Sequence, residues 1–157
     1  MRAPLNEDFL ALLSSLLDAE VKFLVIGAYA VGVHGRPRAT KDLDVWVEAT
    51  PDNAVRVLAA LKEFGAPIGD LTAADLDHVG TGFKMGIPPR RIDILTQIEG
   101  ITFEQAWPTR IEGRFAADVA CPVIGFDALV QNKRAAGRPQ DLADVAALEK
   151  LRDAKPR

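Results

Sequence analysis

Asp42 and Asp44 stand two residues apart, around Leu43, at the head of the apolar run Val45, Trp46 and Val47. Unpaired carboxylates are costly to bury. A strand bound for a core therefore opens on such a pair either because its end is solvated or because the charges are held there for use. Strand side chains alternate, which sets Asp42 and Asp44 on one face with Cβ atoms about 7 Å apart. Further along, Arg91, Asp93 and Leu95 share the face opposite Ile92 and Ile94. If the two strands are neighbours, Asp93 joins the pair at one end of a sheet. Three convergent carboxylates raise one another's pKa values unless a cation sits among them. Magnesium suits that place: it is hard, octahedral and satisfied by one or two carboxylates, waters and substrate phosphates. Two such ions about 3.5–4 Å apart activate an attacking hydroxyl and stabilise a leaving pyrophosphate.

The residues upstream suit phosphate. Gly27 follows a short apolar run, Lys22 to Ile26, and lets backbone approach a phosphate closely. A helix from Ala28 to His34 offers N–H groups at its positive end. Arg36, Arg38 and Lys41 follow in a basic loop that runs into Asp42. Each feature also has a plainer reading. Gly27 terminates a strand; Asp93 pairs with Arg90 or Arg91; His34 caps a helix end; Arg38 and Thr40 close the loop onto Asp42 or Asp44. Lys133 and Arg134 read as solvated helix charges. Asp141 reads as a first-turn residue favoured by the helix dipole. Trp46 and Trp107 read as core or groove-wall residues.

The elements that must position these residues follow from periodicity and breakers. Leu5, Phe9, Leu12, Leu13, Leu16 and Leu17 recur at helical spacing, predicting a helix over 6–19. Asp42 to Glu48 is a strand. Thr50 caps a helix with Pro51 at its first position, and Gly65 ends it. Residues 66–80 read as loop with one helical turn from Thr72. Phe83, Met85 and Ile87 alternate as a strand, Pro88-Pro89 turns the chain, and Arg91 to Thr96 returns as another. Ile111 to Ile124 carries weaker strand signals. Asp127 to Ala136 and Pro139 to Lys150 are helices split by Gly137 and Pro139. The expectation is one α/β (α+β) domain over 1–157, a mixed sheet flanked by helices, with helices at the C-terminal end.

The bulk properties agree with one packed domain. Of 157 residues, 48% are apolar and 26% charged, enough to build a core. The net charge of −3 gives no global pull toward nucleic acid or anionic lipid. The lone cysteine, Cys121, excludes an internal disulfide and fits a reducing compartment; beside Pro122 it reads as a small core residue. No run is long and apolar enough for a membrane span, and the N-terminal stretch lacks a secretory pattern. A cytoplasmic protein is expected.

The strand followed by Gly27-Ala28, thirteen residues, Asp42-Leu43-Asp44-Val45, and then the isolated strand aspartate Asp93 resembles the DNA polymerase beta-like nucleotidyltransferase superfamily. Within it, AVGVHGRPRATKDLD and DALVQNKRAAGRPQDLADV are similar to small bacterial proteins grouped with the AbiEii-type nucleotidyltransferase toxins. The resemblance spans residues 24–48, 90–96 and 127–146. It implies a minimal nucleotidyltransferase fold and transfer of a nucleoside monophosphate from an NTP to an acceptor hydroxyl. The implied cofactor is Mg²⁺, with Mn²⁺ as substitute. The implied acceptors are tRNA or protein, and the implied partner is an antitoxin. Asp42, Asp44 and Asp93 take the catalytic and metal-binding places. Gly27, Ala28, Arg38, Thr40 and Lys133 take the nucleotide-binding ones, Lys133 facing the triphosphate. One position departs from the pattern: Ala28 stands where the family has Gly or Ser, and offers phosphate only a backbone N–H. That departure favours an alternative, a non-catalytic nucleotide- or metal-binding module of the same fold. The basic residues Arg36, Arg38, Lys41, Lys84, Arg90, Arg91, Lys133, Arg134 and Arg138 are expected to rim the site.

Overall fold

The computed structural model describes residues 6–36, 42–86 and 90–154. Arg38, Thr40, Lys41, Leu5, Ile87 and the Pro88-Pro89 turn lie outside the described residues.

Helix α1 (Glu7–Asp18) begins where the Asn6 side chain accepts from the Phe9 amide at 2.9 Å. It buries Phe9, Leu12, Leu13 and Leu16, the stripe that helical spacing dictates. Strand β1 (Phe23–Ile26) is buried along its whole length. Helix α2 (Gly27–Val33) starts directly from it. Strand β2 (Asp42–Val47) returns antiparallel to β1, pairing Ile26 with Asp44 and Phe23 with Val47. Helix α3 (Pro51–Phe64) is capped by Thr50 and ends at Gly65, whose φ of 89° few other residues tolerate.

After the short helix α4 (Ala73–Leu76) come β3 (Gly82–Met85) and β4 (Arg91–Leu95), an antiparallel pair. β4 then runs parallel to β2. The weak strand signals after residue 110 resolve into an antiparallel pair, β5 (Ile111–Ala116) and β6 (Val119–Val123), with β6 parallel to β1. The resulting six-stranded mixed sheet has the order β3-β4-β2-β1-β6-β5. Helices α6 (Phe126–Ala136) and α7 (Pro139–Ala154) close the chain, separated by Gly137 at φ 69°. Residues 97–110, to which the sequence analysis gave no element, contain α5 (Phe103–Ala106) and a 3-10 turn at Trp107–Thr109. The start of α5 is a capping box of Thr102 and Gln105, a signature present in the sequence.

The core lies between the sheet and its helices, built from residues such as Phe9, Leu16, Val25, Val45, Leu61, Ile94 and Leu129. Trp46 is buried and meets Phe103 edge to face. Cys121 is buried and free of any disulfide, and burial pushes its thiol up to about 12. Far from the aspartates, buried Asn53 joins the other ends of β1 and β2. It accepts from the Lys22 amide at 2.7 Å and donates to the carbonyls of Lys22 and Glu48 at 3.0 and 2.9 Å. No helix among the described residues is long and apolar enough to cross a membrane.

Candidate active site

Parallel pairing of β2 with β4 aligns Asp44 with Asp93 and Asp42 with Arg91. Directly opposed residues project to the same face of a sheet. Asp42, Asp44 and Asp93 therefore share one face, at the end of the sheet where β1 passes into α2. The flanking Leu43, Ile92 and Ile94 are buried on the other face, which is why the register cannot slip. Burial, followed by the charge of Asp93, a hydrogen bond with it and the charge of Asp42, pushes Asp44 up to about 7, with Arg91 pulling the other way. Asp44 therefore holds its proton well above the ordinary carboxylate range in the absence of a cation.

Arg91 Nε donates to Asp93 Oδ1 at 3.1 Å, the ion pair weighed from the sequence. Asp42 stands one strand repeat from Asp44. Among the described residues, no group of three His, Cys, Asp or Glu side chains closes into a metal cage. The donors still suit magnesium, which takes one or two carboxylates and fills its remaining positions with water and phosphate. A dication beside Asp44 would offset the burial and the neighbouring negative charges that hold its proton on.

Gly27 has φ of 70°, and a side chain there would run into the Asp44 carboxylate. Its lack of a Cβ is thus required twice, by the backbone turn from β1 into α2 and by the carboxylate behind it. Ala28 follows in the first turn of α2. Tyr29, not singled out in the sequence, is buried on the same helix; its hydroxyl is pushed up by burial and by the charge of Asp42. His34 caps the end of α2 and its Nε2 lies 2.8 Å from the Ile124 carbonyl, a structural post.

The α6–α7 turn reaches the same region. Lys133 is buried, its ammonium 3.1 Å from both Asp141 Oδ1 and Asp144 Oδ2. Asp141 is buried rather than an exposed helix-start charge. Burial acts to raise it, but hydrogen bonds from Arg138 and Lys133 and their charges hold it below the usual carboxylate range. Arg138 Nε donates to Asp141 Oδ2 at 2.7 Å while the side chain stays exposed. The guanidinium is held up chiefly by Asp141, and it also feels Glu99 and Asp44. Arg36, at the end of the α2 loop, approaches Asp144 at 3.5 Å, and Gln140 donates to Asp144 at 3.0 Å. The sequence shows these residues as charges on separate helical faces; only the helix crossing turns them into a buried network.

The remaining rim cations are also engaged: Arg90 with Asp8 at 3.5 Å and Arg134 with Glu149 at 2.9 Å. Lys84, across β3 from Asp93, is exposed.

A mixed sheet carrying carboxylates on β2 and β4, beside a glycine turn at the end of β1, has the architecture of the nucleotidyltransferase-like fold. The chain is similar in structure to the lincosamide antibiotic adenylyltransferase LnuA, solved with lincomycin bound. The TM-score is 0.61, covering 96% of this chain and 99% of that one at 13% sequence identity. The likeness is one of fold. No family model matches the chain, and no curated protein matches it by sequence.

Proposed function

We propose that the chain is a Mg²⁺-dependent nucleotidyltransferase that moves a nucleoside monophosphate from a nucleoside triphosphate to an acceptor hydroxyl. The observation that carries this reading is the Asp44–Asp93 pair, held against Gly27 with Asp44 raised to about 7. A carboxylate pair kept this close stabilises a fold poorly and suits a divalent cation well. The adenylyltransferase LnuA has the same fold, which supports the reaction class.

Asp44 and Asp93 would hold the ion, or Mn²⁺ in its stead, with Asp42, one strand repeat away, as the third candidate ligand. When bound, the metal supplies Lewis-acid stabilisation of the transferring phosphoryl group and a lowered pKa for the attacking hydroxyl. Asp93 accepts the proton of that hydroxyl. The hydroxyl oxygen then attacks the α-phosphorus in line, and the bond to the leaving pyrophosphate breaks. Backbone N–H groups of Gly27 and Ala28 bind phosphate. Arg38 and Thr40, outside the described residues, position the nucleotide from the loop before β2. Lys133 serves the triphosphate indirectly: its salt bridges fix the α6–α7 turn, and the turn presents Arg138 in the field of Asp44.

The segment AVGVHGRPRATKDLD supports a narrower version, the toxin of a pair restrained by an antitoxin, acting in the cytoplasm on tRNA or protein. Expression with and without a neighbouring small reading frame tests it, growth arrest relieved by that frame being the expected result. Ala28 favours a second reading, a non-catalytic nucleotide- or metal-binding module, because its side chain adds no hydroxyl to the phosphate site. Incubation with radiolabelled nucleoside triphosphates, Mg²⁺ and total cellular RNA or protein separates the two. Label transfer by the parent that disappears in Asp44→Asn supports the enzyme. Nucleotide binding without transfer supports the binder.

A further inference from the structure

Strand β5 stands at the end of the strand order away from β3 and β4, and among the described residues no strand pairs with its outer side. Its ladder to β6 shows which backbone groups that side offers. Ile111 pairs with Val123, Glu112 with Pro122, and Gly113 with Cys121. Opposed residues in an antiparallel ladder alternate between pairs that exchange both hydrogen bonds and pairs that exchange none. Pro122 has no N–H to exchange. The amide of Ile124, two residues on, turns away from β5 to the Val25 carbonyl on β1. Cys121 and Val123 are thus the residues bonded to β5. Ile111 and Gly113 spend their backbone groups on β6, and those of Glu112 and Arg114 point outward.

The side chains on this edge carry opposite charges. Glu112 and Arg114 are exposed on one face, opposite the uncharged Pro122 and Ala120. Neither makes an ion pair among the described residues; Arg114 Nη1 donates to the Ala117 carbonyl at 2.6 Å. On the other face Ile111 is 37% exposed, while Gly113 and Phe115 are buried. The usable edge is short. Before it, the Arg110 amide is spent on the Trp107 carbonyl, and after it a bulge between Arg114 and Ala116 breaks the regular ladder.

We propose that this edge is a self-association surface, on which a second copy of the chain pairs antiparallel about a two-fold axis at Gly113. Outward-pointing groups must meet outward-pointing groups, which leaves two copies three registers. An axis at Glu112 opposes glutamate to glutamate. An axis at Arg114 opposes arginine to arginine. An axis at Gly113 opposes Glu112 to the partner's Arg114 and Arg114 to the partner's Glu112, and sets Ile111 against the partner's Phe115. Charges on an edge strand ordinarily discourage pairing; these two discourage it in every register but one. The two sheets become continuous, and the aspartates on β2 and β4 stay clear of the contact.

The test follows the full chain by sedimentation equilibrium beside Glu112→Arg, Arg114→Glu and the two combined. Melting temperatures equal to the parent's establish that these exposed substitutions fold. The parent dimerises. Each single reversal opposes like charges on both sides of the axis and weakens dimerisation about tenfold. The combined reversal restores it. An equal mixture of Glu112→Arg and Arg114→Glu forms a heterodimer, because every arginine then meets a glutamate of the other copy. Hydrogen exchange on the parent alone shows Glu112 and Arg114 amides protected at high concentration and released on dilution. A parent that is monomeric at every concentration overturns the proposal. So does a dimer that survives both single reversals, or a mixture of folded variants that stays monomeric. Protection of those two amides in the monomer overturns it as well, since another part of the chain then covers the edge.

Discussion

Asp44 on β2 and Asp93 on β4 are register partners across a parallel strand pair, and the charge of Asp93 adds to burial in raising Asp44. The pairing puts two like-charged groups on a face whose reverse side is solid core. Neither strand can shift by one residue to separate them without turning Leu43 and Ile92 to solvent.

This pair makes stability depend on pH. Asp44 is raised from 3.8 to about 7 in the folded chain, so between those values the folded state binds more protons than the unfolded one. The contribution is fully present below 3.8 and is lost as pH rises through about 7. Melting temperature measured in chelator should fall across that window, and Asp44→Asn should flatten the fall. Added Mg²⁺ should raise the melting temperature more above pH 7 than below it, since no proton then has to be displaced. A pH-independent melting temperature in chelator would show that Asp44 is an ordinary solvated acid.

Gly27→Ala should damage the site more than the fold. The positive φ costs alanine about 1–2 kcal/mol, and the new methyl displaces the Asp44 carboxylate. Nucleotide transfer should fall at least tenfold, by the order of magnitude that a misplacement of about 1 Å costs. Retained transfer at full rate, measured on folded protein, would mean Asp44 needs no fixed position.

Lys133→Met should destabilise strongly. It leaves Asp141 and Asp144 buried without their ammonium, a loss of about 3–5 kcal/mol. Adding Asp144→Asn should recover part of it, because the uncompensated charge is then gone. Denaturant titration checks both variants. A solvated triphosphate contact would behave differently, with unchanged stability and a raised KM for nucleotide.

Asn53→Ala should separate fold from site at the opposite end of the strands. It removes the partner of the Lys22 amide and of the Lys22 and Glu48 carbonyls, costing about 1–3 kcal/mol for each group left unsatisfied. Transfer per folded molecule should stay at the parent level. A selective loss of transfer would show that the clamp tunes the β1–β2 register at the aspartates.

The local alphabet of this chain is legible because it is set by short-range geometry. Period-two alternation puts Asp42 with Asp44, and Asp93 opposite Ile92 and Ile94, before any partner strand is known. Thr50, Pro51 and Gly65 bound α3 because caps and breakers act within one turn. The Thr102–Gln105 box was equally available, though its four-residue helix carries no apolar period to draw the eye.

What the tertiary structure decided is adjacency. Alternation states that Asp44 and Asp93 each have a polar face, but only the β2–β4 pairing brings the two carboxyls together and sets Lys84 in the same row. Lys133 and Asp141 carry charges that look solvated on either helix alone; the crossing of α6 and α7 buries them against Asp144. Asn53, in the first turn of α3, becomes a clamp only because the ends of β1 and β2 converge on it. In each case the deciding energy is desolvation, which depends on what packs above a side chain, and residues far apart in sequence supply that cover.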